Sequence, residues 1–536
     1  MGNKLEKPRV FVRTASGLIR TVSTLDAFFL SFWALSPLLG GVFIFWFSAA
    51  VFPGGHLPLA SLVSIPFSLA LAAVYAYFCS AMPRSGGDYI FVSRVLHPVL
   101  GFFMNFNYIF WVGLAWYPLN AWLTLTFSFS LAKSMGFSGV YDFWTQPTPF
   151  FIAGIIYIIL MGIMMVLGMK VYTKIQLIAG ILGFIATALA LGVFAAHLGV
   201  DGFKTVFNSW AAEYTGMSDS YGYIIGTAEG LGEGFKGWTG TGFLGSLAVL
   251  WFLMTIPVWS NWVAGEIKRA DAVKTHMTAM GGTAILAGII CAIFTALIMG
   301  VTGWRFYTAF GYLTLYPPEG WAIPITAEWP NIMRIIETNP ALLTLIDLGF
   351  AAAAFILIPM DILLFTRCAF AWSFDRIAPQ FLSDVNPRFH TPVKTIALFT
   401  LIGIFWWWFY LYSGMYALIA AVTIGVSITF IVTSIAGIAF PYLRRDLYEA
   451  SPAKKEILGI PAITIAGIIA TVYMCIMIGM YLVHPGLREL SISPSVAVLI
   501  IAIFIVSVLI FYAARVYHKR KEGIDIMWAF KELPPG

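Results

Sequence analysis

Charge is what this sequence has least of. Only 10% of its 536 residues are Asp, Glu, Lys or Arg, against 60% hydrophobic ones. A soluble globular domain carries about a quarter charged residues. The shortfall excludes an ordinary soluble fold and leaves a chain that crosses a membrane repeatedly. Cysteine is equally sparse. Cys79, Cys291, Cys368 and Cys475 lie far apart in or beside apolar runs. They show neither a disulfide framework nor zinc-ligand spacing, and read as small packing or membrane-facing residues. The seven histidines include no His-Glu-x-x-His or similar pairing. An enzyme embedded in the membrane therefore has no clustered catalytic residues to work with, and neither a metal nor an organic cofactor is expected.

What the chain has in abundance is apolar length. A membrane-spanning helix needs about 20 apolar residues. Twelve runs qualify, near 25–52, 57–82, 98–131, 148–168, 172–198, 242–265, 276–301, 341–374, 393–413, 416–440, 459–483 and 493–516. The first is too long for a signal-peptide core and ends without a small-residue cleavage site. An even number of spans puts both termini on one side. Of the 31 Lys and Arg residues, only Lys133, Lys204, Lys236, Arg305, Arg334 and Arg488 fall in the loops of the other side. Basic loops stay in the cytoplasm, so both termini are expected there, in the cell membrane. The net charge of +6 is thus a matter of topology and not a nucleic-acid site. The partners expected are the lipid bilayer and a small molecule. Two outer segments, 199–241 and 302–340, have the length of lids or packed caps.

Helix-breakers sit inside two of the runs. Residues 36–41 of span 1 read "SPLLGG", and residues 247–263 of span 6 read "LAVLWFLMTIPVWSNWV". In the second, Pro257 removes a backbone donor and is flanked by Thr255, Ser260 and Asn261. Either break alone reads equally as a simple kink, as Pro66 in span 2 does. Together they stand five spans apart, so corresponding halves would cross the membrane in opposite senses. Interrupted helices at matching positions of inverted halves mark the binding site of a secondary transporter. Unpaired peptide groups in lipid cost several kcal/mol each and survive only against a cavity or ligand. Free N–H groups at a half-helix start suit a carboxylate, and free carbonyls at a half-helix end suit an ammonium group or a metal cation.

Asp361, in "LIPMDILLFTR", is the outstanding ionisable residue inside a span. Such a carboxylate is a functional hypothesis by default. It reads as an ion-coupling proton carrier, or alternatively as a structural partner for an arginine or for a backbone group freed by Pro359. Asp88, Glu266, Lys268 and Arg367, near the cytoplasmic ends of spans, read as gate or packing ion pairs.

Four stretches carry a family resemblance. "PRSGGDYIFVSRVLHPVLGFFMNF" (83–106), "AGEIKRADAVKTHMTAM" (264–280), "RCAFAWSFDRIAPQFLSDVNPRFHTPVKTIAL" (367–398) and "IRTVSTLDA" (19–27) resemble motifs of the amino acid–polyamine–organocation permeases, in the same order. The resemblance runs from about residue 19 to 440. It implies an all-α fold of twelve transmembrane helices, with a five-plus-five inverted-repeat core, helices 1 and 6 broken, and two C-terminal helices. On that plan residues 25–198 are the first repeat, 242–440 the second and 459–516 the added pair. Residues 1–24 and 517–536 are cytoplasmic segments. The resemblance also implies that a substrate carboxylate meets the span-1 backbone at Leu39, Gly40, Gly41 and Val42, with Ser36 beside them in the substrate site. The amine would meet span-6 carbonyls near Thr255, Ile256 and Pro257. Phe252 and Trp259 would shape the side-chain pocket or a gate, with Tyr108 and Trp111 on span 3 weaker pocket candidates. Two departures stand out. Leu39 replaces the first glycine of the family's span-1 motif. Gly183 stands where some proton-coupled members carry a lysine, which argues against a lysine-type proton mechanism and leaves sodium coupling, exchange and uncoupled flux open, with a proton or sodium as the coupling ion to consider. The functions expected are transport of a neutral amino acid first, then amino acid/polyamine exchange, or a substrate-binding receptor without flux.

Overall fold

The structure is a computed structural model that describes residues 17–413, 418–491 and 494–534. Most of the expected N-terminal segment thus lies outside the described residues. Among those described, twelve helices are long and apolar enough to cross a membrane: Thr24–Val51, Leu57–Ala81, Pro98–Ser134, Pro147–Val166, Met169–Ala196, Gly240–Glu266, Val273–Thr302, Pro340–Phe374, Val393–Tyr412, Ala421–Leu443, Ala462–Val483 and Val496–Lys521. They are called spans 1 to 12 below. The architecture is nearly all helical, because only a helix pairs every backbone group internally. Span 11 starts at Ala462, later than the apolar run suggests, because Glu456–Ile457 and Ile460–Pro461 pair as a short hairpin just before it. Span 12 runs to Lys521, beyond the apolar run, and ends in His518, Lys519, Arg520 and Lys521. The segments 199–241 and 302–340 are not open loops. They hold helices Val200–Thr215, Ser220–Gly230, Trp304–Leu315 and Trp329–Ile336.

Three spans change course, each beside a proline. Span 1 consists of helices Thr24–Leu35 and Pro37–Val51, joined at Ser36 with φ 44°. Pro37 has no N–H, so the Trp33 carbonyl loses its helical partner. The Ser36 hydroxyl donates to that carbonyl instead. In span 6 the α-helix Gly240–Met254 gives way to a 3-10 helix, Ile256–Glu266, with Pro257 in its first turn. The hydroxyl of Ser68 donates to the Met254 carbonyl at 2.7 Å. In span 8 helix Pro340–Phe355 gives way at Ile356 to helix Leu357–Phe374. Pro359 deprives the Phe355 carbonyl of a donor, and the Tyr157 hydroxyl supplies one at 2.9 Å. Each freed carbonyl has found a side-chain hydroxyl, as buried polar groups must.

Without a hydrophobic drive between helices in lipid, close approach relies on small residues. A Cβ on Gly349 of span 8 would meet the Leu182 carbonyl of span 5 at 2.5 Å. In the Gly-Gly pair of "PRSGGDY", Gly86 has φ +120° and donates its N–H to the Trp262 carbonyl, while a Cβ would lie 2.7 Å from that of Ala371. Gly101 is hemmed in by three atoms of one residue. Its Cβ would lie 2.6 Å from both Cβ and N of Ser93, in helix Asp88–Val95. Those are mostly backbone atoms that cannot swing aside. Gly101→Ala should therefore destabilise the fold by about 1–3 kcal/mol. Thermal unfolding of the purified protein in detergent measures this, and an unchanged midpoint would show that the two helices separate freely.

The end of the bundle that carries residues 17–23 and the C-terminal segment is densely paired. Val22 and Lys268 are tied through backbone hydrogen bonds: Val22 donates to Glu266 at 3.0 Å, and Lys268 donates to Val22 at 2.8 Å. The tail packs back as a 3-10 helix, Ile526–Lys531, with Ile526 and Phe530 buried. Arg84 donates to the Pro534 carbonyl at 2.6 Å, and the Arg94 guanidinium lies 4.8 Å from the Phe530 ring centre. At the opposite end, Trp329 donates its indole N–H to the Leu38 carbonyl at 2.9 Å. Arg334 pairs with Asp347 at 2.6 Å, which fastens the Trp329–Ile336 helix to the start of span 8.

Candidate functional site

The turn at Ser36 leaves two amides of span 1 without a carbonyl. Pro37 has no N–H, and Gly40 donates to the Ser36 carbonyl at 2.8 Å. Gly41 and Val42 lie deeper in helix Pro37–Val51, where helical carbonyls take their amides. Leu38 and Leu39 are left with no backbone partner among the described residues. The free donors therefore begin one residue earlier than the family motif suggests, and of Leu39, Gly40, Gly41 and Val42 only Leu39 keeps its N–H free.

Beside this turn lies a cavity of about 40 Å³. Its walls are Ala34, Leu35, Ser36, Leu39 and Gly40 of span 1, Trp116, Leu119, Asn120 and Leu123 of span 3, and Phe252, Leu253, Ile256 and Trp259 of span 6. Leu357, Met360 and Asp361 of span 8 complete it. A water molecule needs roughly 10–15 Å³ by this measure, so the space holds a few waters and an amino acid enters only if the walls move. Of the residues singled out from sequence, Ser36, Leu39, Gly40, Phe252, Ile256, Trp259 and Asp361 meet here. Gly41, Val42, Thr255 and Pro257 do not line it. Tyr108 stacks behind the tryptophans, 5.0 Å from Trp262 and 6.4 Å from Trp259 between ring centres. Trp111 donates to Asn107 at 3.0 Å and packs away from the cavity.

Asp361 is 1% exposed, and Asn120 donates to it at 2.9 Å. No cation pairs with it among the described residues. The structural alternatives for this residue are met by other groups. The nearby arginine, Arg367, is taken by Glu266, and the carbonyl freed by Pro359 is taken by Tyr157. Asn120 and Trp116 were not singled out from sequence. The signal for Asn120 was present, an amide inside the apolar run "YPLNAWLTL". Trp116 reaches the cavity at the end of a π-helical turn, Val112–Trp116, just before Pro118. Such turns are frequent at functional sites.

Spans 1 and 6 are pinned where they face each other. Ser31 donates to Ser260 at 3.0 Å, and the Ser260 amide donates back to the Ser31 hydroxyl at 3.3 Å. Farther along, Arg367 holds Glu266 through two bonds of 2.8 and 2.9 Å, and Arg94 holds Asp375 through bonds of 2.7 and 2.8 Å. Lys268 takes no part in such pairs. Its side chain is exposed, and only its backbone joins the network.

Asp88, buried at the start of helix Asp88–Val95, accepts hydrogen bonds from Tyr75 and, at 2.5 Å, from Thr433. Burial pushes its carboxyl up to about 6, and these two hydroxyls restrain the rise. A carboxyl raised on folding favours the native state while protonated. The stability it contributes is present at low pH and is lost as pH climbs from about 4 to about 6, an effect of the order of 3 kcal/mol. Asp88→Asn should flatten the melting temperature over that window and raise it at neutral pH. Thermal melts of both proteins between pH 4 and pH 7 test this, and parallel curves would contradict it.

Comparison with known proteins bears on the whole chain. A family model described as amino acid permease matches residues 22–509. No curated protein matches the sequence. The matched region takes in spans 1 to 11, the first part of span 12 and every wall of the cavity. This chain is a multi-pass membrane protein and belongs to the amino acid permease family.

Proposed function

We propose that the protein is a secondary active transporter that carries an amino acid across the cell membrane by alternating access, with both termini in the cytoplasm. The observation that carries the reading is the convergence at one cavity of Leu39 with its free amide, the span-6 turn at Ile256 and the aromatic pair Phe252 and Trp259. A substrate carboxylate takes the amides at the positive end of helix Pro37–Val51. The ammonium group turns toward the carbonyls where span 6 tightens. In this scheme spans 1, 2, 6 and 7 move as a bundle against the rest, in a five-plus-five inverted-repeat core. Ser36 and Thr255–Pro257 act as hinges. The Glu266–Arg367 and Arg94–Asp375 pairs close the cytoplasmic side, and the Trp329–Ile336 helix closes the outer side.

Coupling does not pass through a lysine at position 183. A Cβ there would already overlap the Trp33 ring and lie 2.7 Å from that of Ala353. Proton coupling through another group, sodium coupling and exchange are separated by one assay. Purified protein in liposomes is given radiolabelled amino acids under an inward proton gradient and, separately, an inward sodium gradient. Accumulation under one of them is expected. Binding without uptake or exchange would make the protein a receptor instead.

A further inference from the structure

The charge at the cavity does not close for a neutral amino acid. If the reading above holds, and this inference rests on it, a zwitterion's carboxylate is matched by the span-1 amides and its ammonium group by the span-6 carbonyls. Both of its charges are then spoken for. Asp361 remains, buried on the same wall, with an amide from Asn120 and no cation. A carboxyl group held this way in a membrane takes either a proton or a cationic partner.

The other walls say what kind. Trp116 and Trp259 line the cavity with ring centres 6.2 Å apart, and Phe252 stands edge-on to Trp116 at 5.5 Å. Aromatic faces gathered around a carboxylate make a receptacle for an organic cation, whose charge is attracted to the ring faces. A hard metal ion asks for a cage of oxygens. Here the side-chain oxygens on the wall belong only to Asp361, Asn120 and Ser36, and the Ser36 hydroxyl is committed to Trp33. A bare proton has no use for the rings. We infer that Asp361, Asn120, Trp116, Trp259 and Phe252 form a subsite for a second positive group, so that the substrate is a cationic amino acid bearing a side-chain ammonium or guanidinium. Leu39, the departure from the family's glycine, narrows the space beside the amides, and the cation extends toward span 8.

Counterflow into liposomes tests this, with radiolabelled lysine and arginine set against leucine and glutamine. Wild-type protein should exchange a cationic amino acid at least about tenfold better than a neutral one. Leaving a buried cation unpaired costs about 30-fold to several thousandfold in affinity. Asp361→Asn should lose lysine and arginine by that factor and gain relative preference for glutamine. Asp361→Glu, which keeps the charge, should keep the cationic preference. Trp259→Leu should weaken the cationic substrate by about 2- to 30-fold and spare the neutral ones. It carries the test if Asp361→Asn does not fold, and equal weakening of both classes would then overturn the inference. Exchange of neutral amino acids alone would also overturn it and leave the transporter reading intact. So would an Asp361→Asn protein that exchanges lysine normally but no longer accumulates it under a proton gradient. Exchange of no amino acid of either class would bring down the transporter reading itself.

Discussion

Replacing Glu266 or Arg367 by alanine is expected to cost about 3–5 kcal/mol of folding stability, a loss large enough to threaten the fold. The two side chains are 2% and 1% exposed and meet through paired bonds of 2.8 and 2.9 Å. Removing one strands the other's charge in a medium that cannot solvate it. The pair as a whole contributes little, because its desolvation penalty offsets most of the attraction. The double variant Glu266→Gln with Arg367→Met should therefore regain most of what either single change loses. Melting temperatures of both singles and the double give the coupling energy directly. Strictly additive losses would mean that the pair is more solvated than its burial indicates. The pair ties the end of span 6 to span 8, so a folded double variant also shows what that tie does beyond holding the fold.

Gly40→Val should reduce transport by about a hundredfold, the cost of misplacing a bound substrate by roughly an ångström. Gly40 lines the cavity directly after the free Leu39 amide. A Cβ there would overlap the tip of Leu253, another wall residue, and lie 3.4 Å from the Leu35 carbonyl. Leu253 is a flexible side chain and can yield, so the stability loss should stay within about 1–3 kcal/mol. What suffers is the space itself and the turn at Ser36. Uptake measured beside a thermal melt distinguishes the two, since a loss of function at a nearly unchanged midpoint is the signature of a blocked site.

The twelve spans were legible because apolar length is a one-dimensional property, and lipid permits only helices to satisfy it. The interruptions were legible too. Pro37 and Pro257 each delete a donor, and that deletion is written in the residue. What the sequence could not express was which hydroxyl repairs each gap. Ser36 is next door, but Ser68 and Tyr157 come from other spans. The free amides were misplaced by one residue for a related reason. Where a helix restarts depends on the φ of Ser36, a torsion outside any residue pattern. Asp361 announced itself by its charge, while its surroundings stayed hidden. Asn120 lies 241 positions away in the chain, and only the packing of span 3 against span 8 brings the two together. Lys268 illustrates the opposite case. Glu266, two residues before it, is a buried ion-pair residue, but beside the short pairing of Val22 with Ile267 the Lys268 side chain is exposed.

We propose that an amino acid crosses through the cavity beside Ser36. Counterflow needs no coupling ion, so it tests that claim apart from energetics. Liposomes loaded with a mixture of unlabelled amino acids are offered each labelled one in turn, with wild-type protein and with Gly40→Val of matched melting behaviour. The wild type should show saturable exchange of at least one amino acid, and the variant about a hundredfold less. Exchange by neither protein, or equal exchange by both, would contradict it.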